Sequence, residues 1–473
     1  MTPANVGEVL LEKDDRLPAI QERVPGGYSN GDYEDSCHST AVSKTLKILR
    51  YYSRILTVMV PMAHYPGFLD KMVSRLNTKW LDNLEEKDDD EESNATSELS
   101  DDMGEINKTD ADRARDLITE SRKVDACAIL VNLACAEQNK VYMAQEHKNL
   151  LDAVIHCAYY EKSSQAREHA SMVIMNLAYS NENKLHMAKK DMLLAALVIL
   201  MKDDSPYTRR YASASLFTLA CVVANTSRIA SHNDGAILEA LRQVLINDPS
   251  QDARTNAAEA FFNMGRNNTD ETLQKMAQHP MLMYTLALAV ADVEDNNEDA
   301  KTFSALCLEW MATDIHHDKM VACHDELLRS LVKASEYTGS TSIAEAFKTQ
   351  STQLENRMPM VNCSGLLTAL SRMALLFSDE AVDTNDNIRA CAVLAIERLS
   401  TVEEARPIMS HHEGIMTALT RANFKKFSTS HISPKDLGED GQYIDNINEG
   451  DSELEEQVHL LTKVALKNLA DIL

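Results

Sequence analysis

Turn formers are scarce in this 473-residue chain, which holds 14 glycines and 11 prolines. Aromatic residues make up only 5%, with two tryptophans. β-Sandwiches need frequent Gly/Pro-rich turns and α/β enzymes need glycine in their strand-to-helix loops, so both classes fit poorly. Basic residues are also in deficit: 47 Lys and Arg face 73 Asp and Glu, a formal charge of −26. Such a field repels phosphate backbones and anionic bilayers, and no Lys/Arg-rich run offsets it. Nucleic acid is therefore not an expected partner, whereas basic proteins and peptides are. Long apolar runs are missing too. Ile55 to Ala63 is far shorter than the ~20 residues that span a bilayer, so membrane insertion is not expected. The first residues, MTPANVGEVLLEKDDRLPAI, lack the basic and apolar regions of a secretory signal. Nine cysteines contain no CxxC pair and mostly lie inside helical apolar patterns, which suits reduced thiols in the cytosol or nucleus.

What the chain does have is 44% hydrophobic residues, 25% charged residues and an Ala-rich phrase that returns along its length. It reads ACAILVNLA (126–134), ASMVIMNLA (170–178), ASASLFTLA (212–220), AAEAFFNMG (257–265) and SALCLEWMA (304–312). Weaker copies are FKTQSTQLE (347–355) and AVLAIERLS (392–400). The penultimate residues, Leu133, Leu177, Leu219, Met264, Met311, Leu354 and Leu399, are spaced by 44, 42, 45, 47, 43 and 45. A second phrase follows each: a short helix, a polar break often holding His, Gly or Pro, then an amphipathic helix, as in NKVYMAQEHKNLLDAVIHC (139–157). One period thus holds three helices, and none can bury its apolar stripe alone, so neighbours must stack.

This pattern resembles the armadillo repeat family, with HEAT repeats second. The resemblance covers residues 41–473 outside two insertions and implies an all-α, right-handed superhelical solenoid of about eight repeats. Residues 57–77 match the short-helix, break, second-helix phrase, and their third helix follows only at about 112–136. Second-helix residues 414–422 are likewise parted from a final helix at 454–473. The intervening acidic segments, 82–110 and 424–452, read as disordered insertions, and residues 1–40 as a flexible tail. The insertions suit either solvation or docking of a basic partner.

The resemblance also implies that third helices line a concave groove for an extended peptide. Residues four and seven before the NLA asparagine share its helical face. Candidate groove residues are therefore Asp125, Asn132, His169, Asn176, Tyr211, Asn256, Glu259, Asn263, Phe303 and Trp310. An Asn amide both donates and accepts and so can pair with a peptide backbone; the alternative is that it satisfies the stack's own backbone. Where import adaptors of the family carry Trp, this chain has Ala128, Met172, Ala214 and Glu259, which counts against a receptor for localisation signals.

Two further rows repeat. Lys123, Arg167, Arg209, Arg254, Lys301 and Arg389 begin the third helices, where they are expected to bridge adjacent repeats. His147, His232, His279, His324 and His411 lie near the breaks, too far apart to share one metal ion. Neither a metal nor another cofactor is expected. No phosphate-binding loop, dinucleotide fingerprint, nucleophile elbow or HExxH occurs, so no enzyme is expected. The reading is a protein-binding scaffold or adaptor with a protein or peptide partner. A transport adaptor reading basic signals and a structural subunit of a larger assembly are the alternatives.

Overall fold

A computed structural model of the chain describes residues 45–76, 110–266, 270–292, 294–313, 324–336, 340–376, 383–429 and 449–470. The expected tail and most of both expected insertions (82–109 and 430–448) lie outside these residues. Among the described residues every regular element is helical. No helix among them is long and apolar enough to cross a membrane. The chain packs as two units, Met1–Asn225 and Thr226–Leu473.

In the first unit, helical residues 45–52 precede α1 (Leu56–Ala63), α2 (Phe68–Leu76) and α3 (Asp110–Ala134). The second triplet is α4 (Glu137–Val141), continued by a π turn, then α5 (Leu150–Tyr160) and α6 (Ser164–Ala178). The third is α7 (Asn181–Ala188), α8 (Asp191–Leu200) and α9 (Pro206–Ala220). After α10 (Val223–Ser231), the second unit continues with α11 (Ala236–Asn247) and α12 (Gln251–Arg266). Then come α13 (Asp270–Gln278), α14 (Leu282–Ala291), α15 (Glu298–Thr313), α16 (His324–Ala334) and α17 (Thr341–Gln350). The last two triplets are α18 (Leu354–Asn362), α19 (Leu366–Ala374), α20 (Asp383–Ser400), and α21 (Ala405–Ser410), α22 (Glu413–Thr429), α23 (Glu449–Ala470). A short, a middle and a long helix per period is the armadillo-type repeat; the HEAT repeat has two helices. The expected all-α repeat fold is what forms.

The break before the middle helix has a recurring backbone cause. Gly67, Asn149, Gly235, Met281 and Gly365 each stand one residue before such a helix with φ of +74°, +68°, +87°, +62° and +82°. A left-handed residue turns the chain sharply between the first two helices, and glycine takes that conformation without steric cost. The phrase anchors Leu133, Leu177, Leu219, Met264, Met311 and Leu399 are fully buried, as the apolar pattern requires.

One anchor is misplaced by the sequence pattern. The sixth third helix, α17, ends at Gln350, and Leu354 opens the next short helix with 63% of its surface exposed. Gln350 occupies the buried anchor position, 2% exposed. Its amide donates to the Ala312 carbonyl and accepts from Asn356 Nδ2 at 2.8 Å. A polar residue tolerated in the core by full hydrogen bonding hides the repeat from an apolar search. The insertion boundaries also shift. α22 continues through 424–429, where FKKF lacks acids, and α23 takes Glu449–Ser452, because acidic residues favour a helix N-terminus. Asp110 likewise starts α3.

Candidate functional site

Several repeating rows are engaged in holding neighbouring repeats together. Asn139, Asn183 and Asn225, six residues after the anchors Leu133, Leu177 and Leu219, are buried in the short helices. Each Nδ2 donates to the anchor's carbonyl (2.9, 3.0 and 3.0 Å) and to a carbonyl of the preceding short helix, Met59, Lys140 and Lys184 (3.1, 2.9 and 3.1 Å). They satisfy carbonyls that a helix C-terminus leaves open. The repeated Asn-Lys that opens two of the middle phrases was the available signal.

Three of the six cations in the row bridge adjacent repeats, as their position foretold. Lys123 reaches Glu161 at 2.6 Å, Arg167 reaches Asp203 at 2.5 Å and Arg254 reaches Asp295 at 2.8 Å, each across one repeat. Arg167 and Arg254 also donate to the carbonyls of Glu161 (2.9 Å) and Asp248 (2.6 Å). Arg209 donates to the Asp203 and Asp204 carbonyls instead. Lys301 and Arg389 pair within their own helices, with Glu298 and Asp386. Burial alone would raise the Glu161 carboxyl, but the Lys123 ammonium and two backbone amides hold it below its ordinary value.

Two members of the histidine row serve the same joint. His147 Nε2 lies 3.3 Å from Asp70, and His279 Nε2 lies 3.9 Å from Glu239; both acids start the preceding middle helix. Lys190 holds Asp152 at 2.7 Å from the equivalent place. His411 faces the Pro407 carbonyl at 2.7 Å and His232 faces Asn233 at 3.2 Å. The His324 side chain lies outside the described residues. No group of three metal-ligating residues forms among the described residues.

The third-helix face is what remains. In the first unit it is largely self-satisfied. Asp125 is buried against Arg50 at 3.2 Å. Asn132 donates to Ser53 Oγ at 2.8 Å, and Asn176 to the Val131 carbonyl at 3.4 Å. His169 is half-buried; burial and the nearby Arg50 disfavour its charged form. Tyr211 is half-buried as well, and burial followed by Glu168 raises its hydroxyl above the usual value. The described residues of this unit hold 19 Lys and Arg against 15 Asp and Glu, a net +4.

The second unit differs. Its described residues hold 19 Lys and Arg against 29 Asp and Glu, a net −10. Residues Asn256 and Glu259 on α12 are half-exposed, whereas Asn263 is buried. On the adjacent α15, Phe303 and Leu306 are half-exposed and Trp310 is 36% exposed. The Phe262 and Phe303 rings meet across the two helices at 5.6 Å, and Arg266 lies over Phe262 at 5.3 Å. Phe262, Arg266, Asp299 and Glu309 were not among the sequence candidates. Phe262 and Arg266 lie three and seven residues after Glu259, Asp299 four before Phe303 and Glu309 three after Leu306, all within one helical face. Burial pushes the Glu259 carboxyl up, with Arg266 opposing and Asp299 adding to it, and burial and Glu345 push Glu309 up despite a hydrogen bond with Ser342.

A cavity of about 590 Å³ opens beside the loops that follow α11 and α14. Its polar lining comprises the matched Arg254–Asp295 pair together with Asn247, Asp248, Asp292, Glu294 and Lys333.

No family model matches the chain, and no curated protein matches it. Solved structures do. The chain is similar to an engineered protein, 14% identical over 91% of this chain and 96% of that one, with a TM-score of 0.44. It is similar to a designed armadillo repeat protein in complex with the peptide (KR)4, 15% identical over 67% and 99% of the two chains, TM-score 0.36. It is also similar to a chain from a structural study of a phosphorylation switch in the interaction between cadherin and beta-catenin, 12% identical over 91% and 94%, TM-score 0.47. The armadillo-type character of this chain rests on its own three-helix period.

Proposed function

We propose that the protein is a non-enzymatic scaffold that holds a segment of a partner protein along its third-helix faces. One observation carries this reading. On α12 and α15 the row Glu259, Phe262, Phe303, Leu306, Glu309 and Trp310 is left half-exposed or exposed, while the opposite sides of both helices are buried. Half-exposed aromatics beside carboxylates are the composition of recognition surfaces, where a few aromatic anchors supply most of the affinity. The adaptor role expected from the sequence follows if the partner segment is short and extended.

The test is a selection from a random-peptide library on the full-length protein and on its Phe303→Ala, Trp310→Ala variant, with helicity matched by circular dichroism. Peptides enriched on the parent and lost on the variant support the reading. Equal enrichment of the same peptides on both would reject this face and favour an assembly subunit built through other surfaces.

A further inference from the structure

The reading of the third-helix face as a binding surface leaves the chemistry of its occupant open, and the second unit's charge supplies it. Resting on that reading, we propose that the face formed by α12, α15 and α17 takes a partner segment in which Arg or Lys side chains are interleaved with apolar ones.

Four carboxylates lie on or beside this face on consecutive third helices: Glu259 on α12, Asp299 and Glu309 on α15, and Glu345 on α17. Cations from the same helices compensate them only in part. Lys348 pairs with Glu345, one turn away on its own helix. Arg266 rests on the Phe262 ring, while Arg254 and Lys301 pair with Asp295 and Glu298. Glu259, Asp299 and Glu309 have no ion-pair partner within 4.0 Å among the described residues. Glu309 has only the hydroxyl of Ser342 and the more distant Lys348 to set against Glu345. Glu345 also accepts from Cys391 Sγ at 3.2 Å, so even the compensated member is drawn toward the helix beneath. Burial is the first cause that raises the Glu259 and Glu309 carboxyls; Asp299 and Glu345 add to it, while Arg266 and Lys348 oppose it.

The apolar half of the face selects how the charge must be presented. Phe262, Phe303, Leu306 and Trp310 share it with the acids. A bare metal ion or polyamine would meet the carboxylates and leave these side chains wet. A peptide satisfies both, since an Arg or Lys stem lies along apolar surface while its head meets a carboxylate or a ring face. The Arg266–Phe262 stack shows that the face accommodates a guanidinium over an aromatic ring. Arg fits better than Lys because its planar fork can bond a carboxylate and stack at once. The first unit's face lacks the shortage: Asp125 has Arg50, and Asn132 and Asn176 donate within the stack. Recognition of cations is thereby assigned to the second unit.

The experiment uses the full chain and three fluorescent peptides of equal length, alternating Arg with Leu, Glu with Leu and Ser with Leu. Anisotropy titrations at low and moderate salt read the dissociation constants. The Arg peptide is expected to bind most tightly and to lose affinity with salt. The double variant Glu259→Gln, Glu309→Gln should weaken it about tenfold or more, two charge-assisted contacts being removed. Affinity should also fall on acidification above the ordinary carboxylate range. Unchanged Arg-peptide affinity in the double variant would overturn the assignment of these carboxylates. Tighter binding of the Glu or Ser peptide, lost in Phe303→Ala, Trp310→Ala, would overturn the cationic occupant while keeping the groove. Binding of all three peptides that ignores both variants would reject the face itself.

Discussion

The guanidinium of Arg167 on α6 lies 2.5 Å from the carboxylate of Asp203, 36 residues later in the loop after α8. The Arg167 and Asp203 side chains are 18% and 3% exposed, so water does little to replace either partner. The same arginine donates to two carbonyls of the loop before its own helix, and Asp203 accepts from the Ser205 amide. One side chain thus fixes two consecutive loops at once. Arg167→Ala would leave a buried carboxylate unpaired and is expected to cost about 3 kcal/mol. Arg167→Lys, which keeps the charge but not the fork, should recover part of it. Chemical denaturation of the two variants checks this. A loss below ~1 kcal/mol for the alanine variant would demote the bridge to an ordinary surface pair.

Two asparagines seven residues apart carry opposite expectations. Asn176, in the NLA phrase, is half-buried and makes a single long backbone bond of 3.4 Å. Asn183 is fully buried and makes two good ones. Asn183→Ala should cost about 2–3 kcal/mol, because two carbonyls and a cavity are left unsatisfied, and Asn176→Ala about 1 kcal/mol or less. Reversal of that order in thermal melts would show that the phrase asparagine, not the short-helix one, holds the stack.

Gly235 and Gly67 separate backbone strain from crowding. Both have positive φ and precede a middle helix. A methyl group at Gly67 meets nothing within 4 Å, whereas at Gly235 it would stand 3.1 Å from the His279 ring. Gly67→Ala should cost about 1 kcal/mol from conformation alone. Gly235→Ala should cost more and should disturb the His279–Glu239 approach, visible as a changed histidine titration by NMR. Equal losses at the two sites would mean that the imidazole yields without cost.

The fold was readable because apolar anchors recur every 42–47 residues, and a stack must bury each one. The reading failed where a polar residue replaced the anchor. Gln350 is as buried as Leu133, but only its bonds to Ala312 and Asn356 show why. The breaks were legible from their His, Gly or Pro residues, but the left-handed conformation of Met281, an apolar residue, was not. The candidate face was half legible. Glu259, Phe303 and Trp310 follow from helical offsets, whereas the burial of Asp125 depends on Arg50, 75 residues upstream, and no local pattern reports it. The acidic total likewise gave no hint that the first unit's described residues are net positive.

Acid provides the last test, at the joint between middle helices. Glu239 accepts from Arg242 Nε and Nη2, both at 2.8 Å, and from Gln243 Nε2. These bonds, Arg242 first, hold its carboxyl at about 2 against the burial that would raise it. Burial lowers His279, and Glu239 only partly opposes this. The signs differ for the two groups. The depressed carboxylate contributes stability above its unfolded value, and that contribution is lost as pH falls toward about 2. The depressed imidazole must be protonated in the unfolded chain first, so stability falls as pH drops through its ordinary range near 6.5. Because the Glu239 side chain is 40% exposed, solvent screening keeps its share below ~1 kcal/mol. His279→Gln should therefore flatten the stability profile between about pH 7 and 5, whereas Glu239→Gln should remove the loss below about pH 5 and, by deleting the charge that opposes the depression of His279, steepen the loss above it. Denaturation midpoints of both variants across pH check the order. A His279→Gln profile as steep as the parent's between about pH 7 and 5 would place the early acid loss elsewhere.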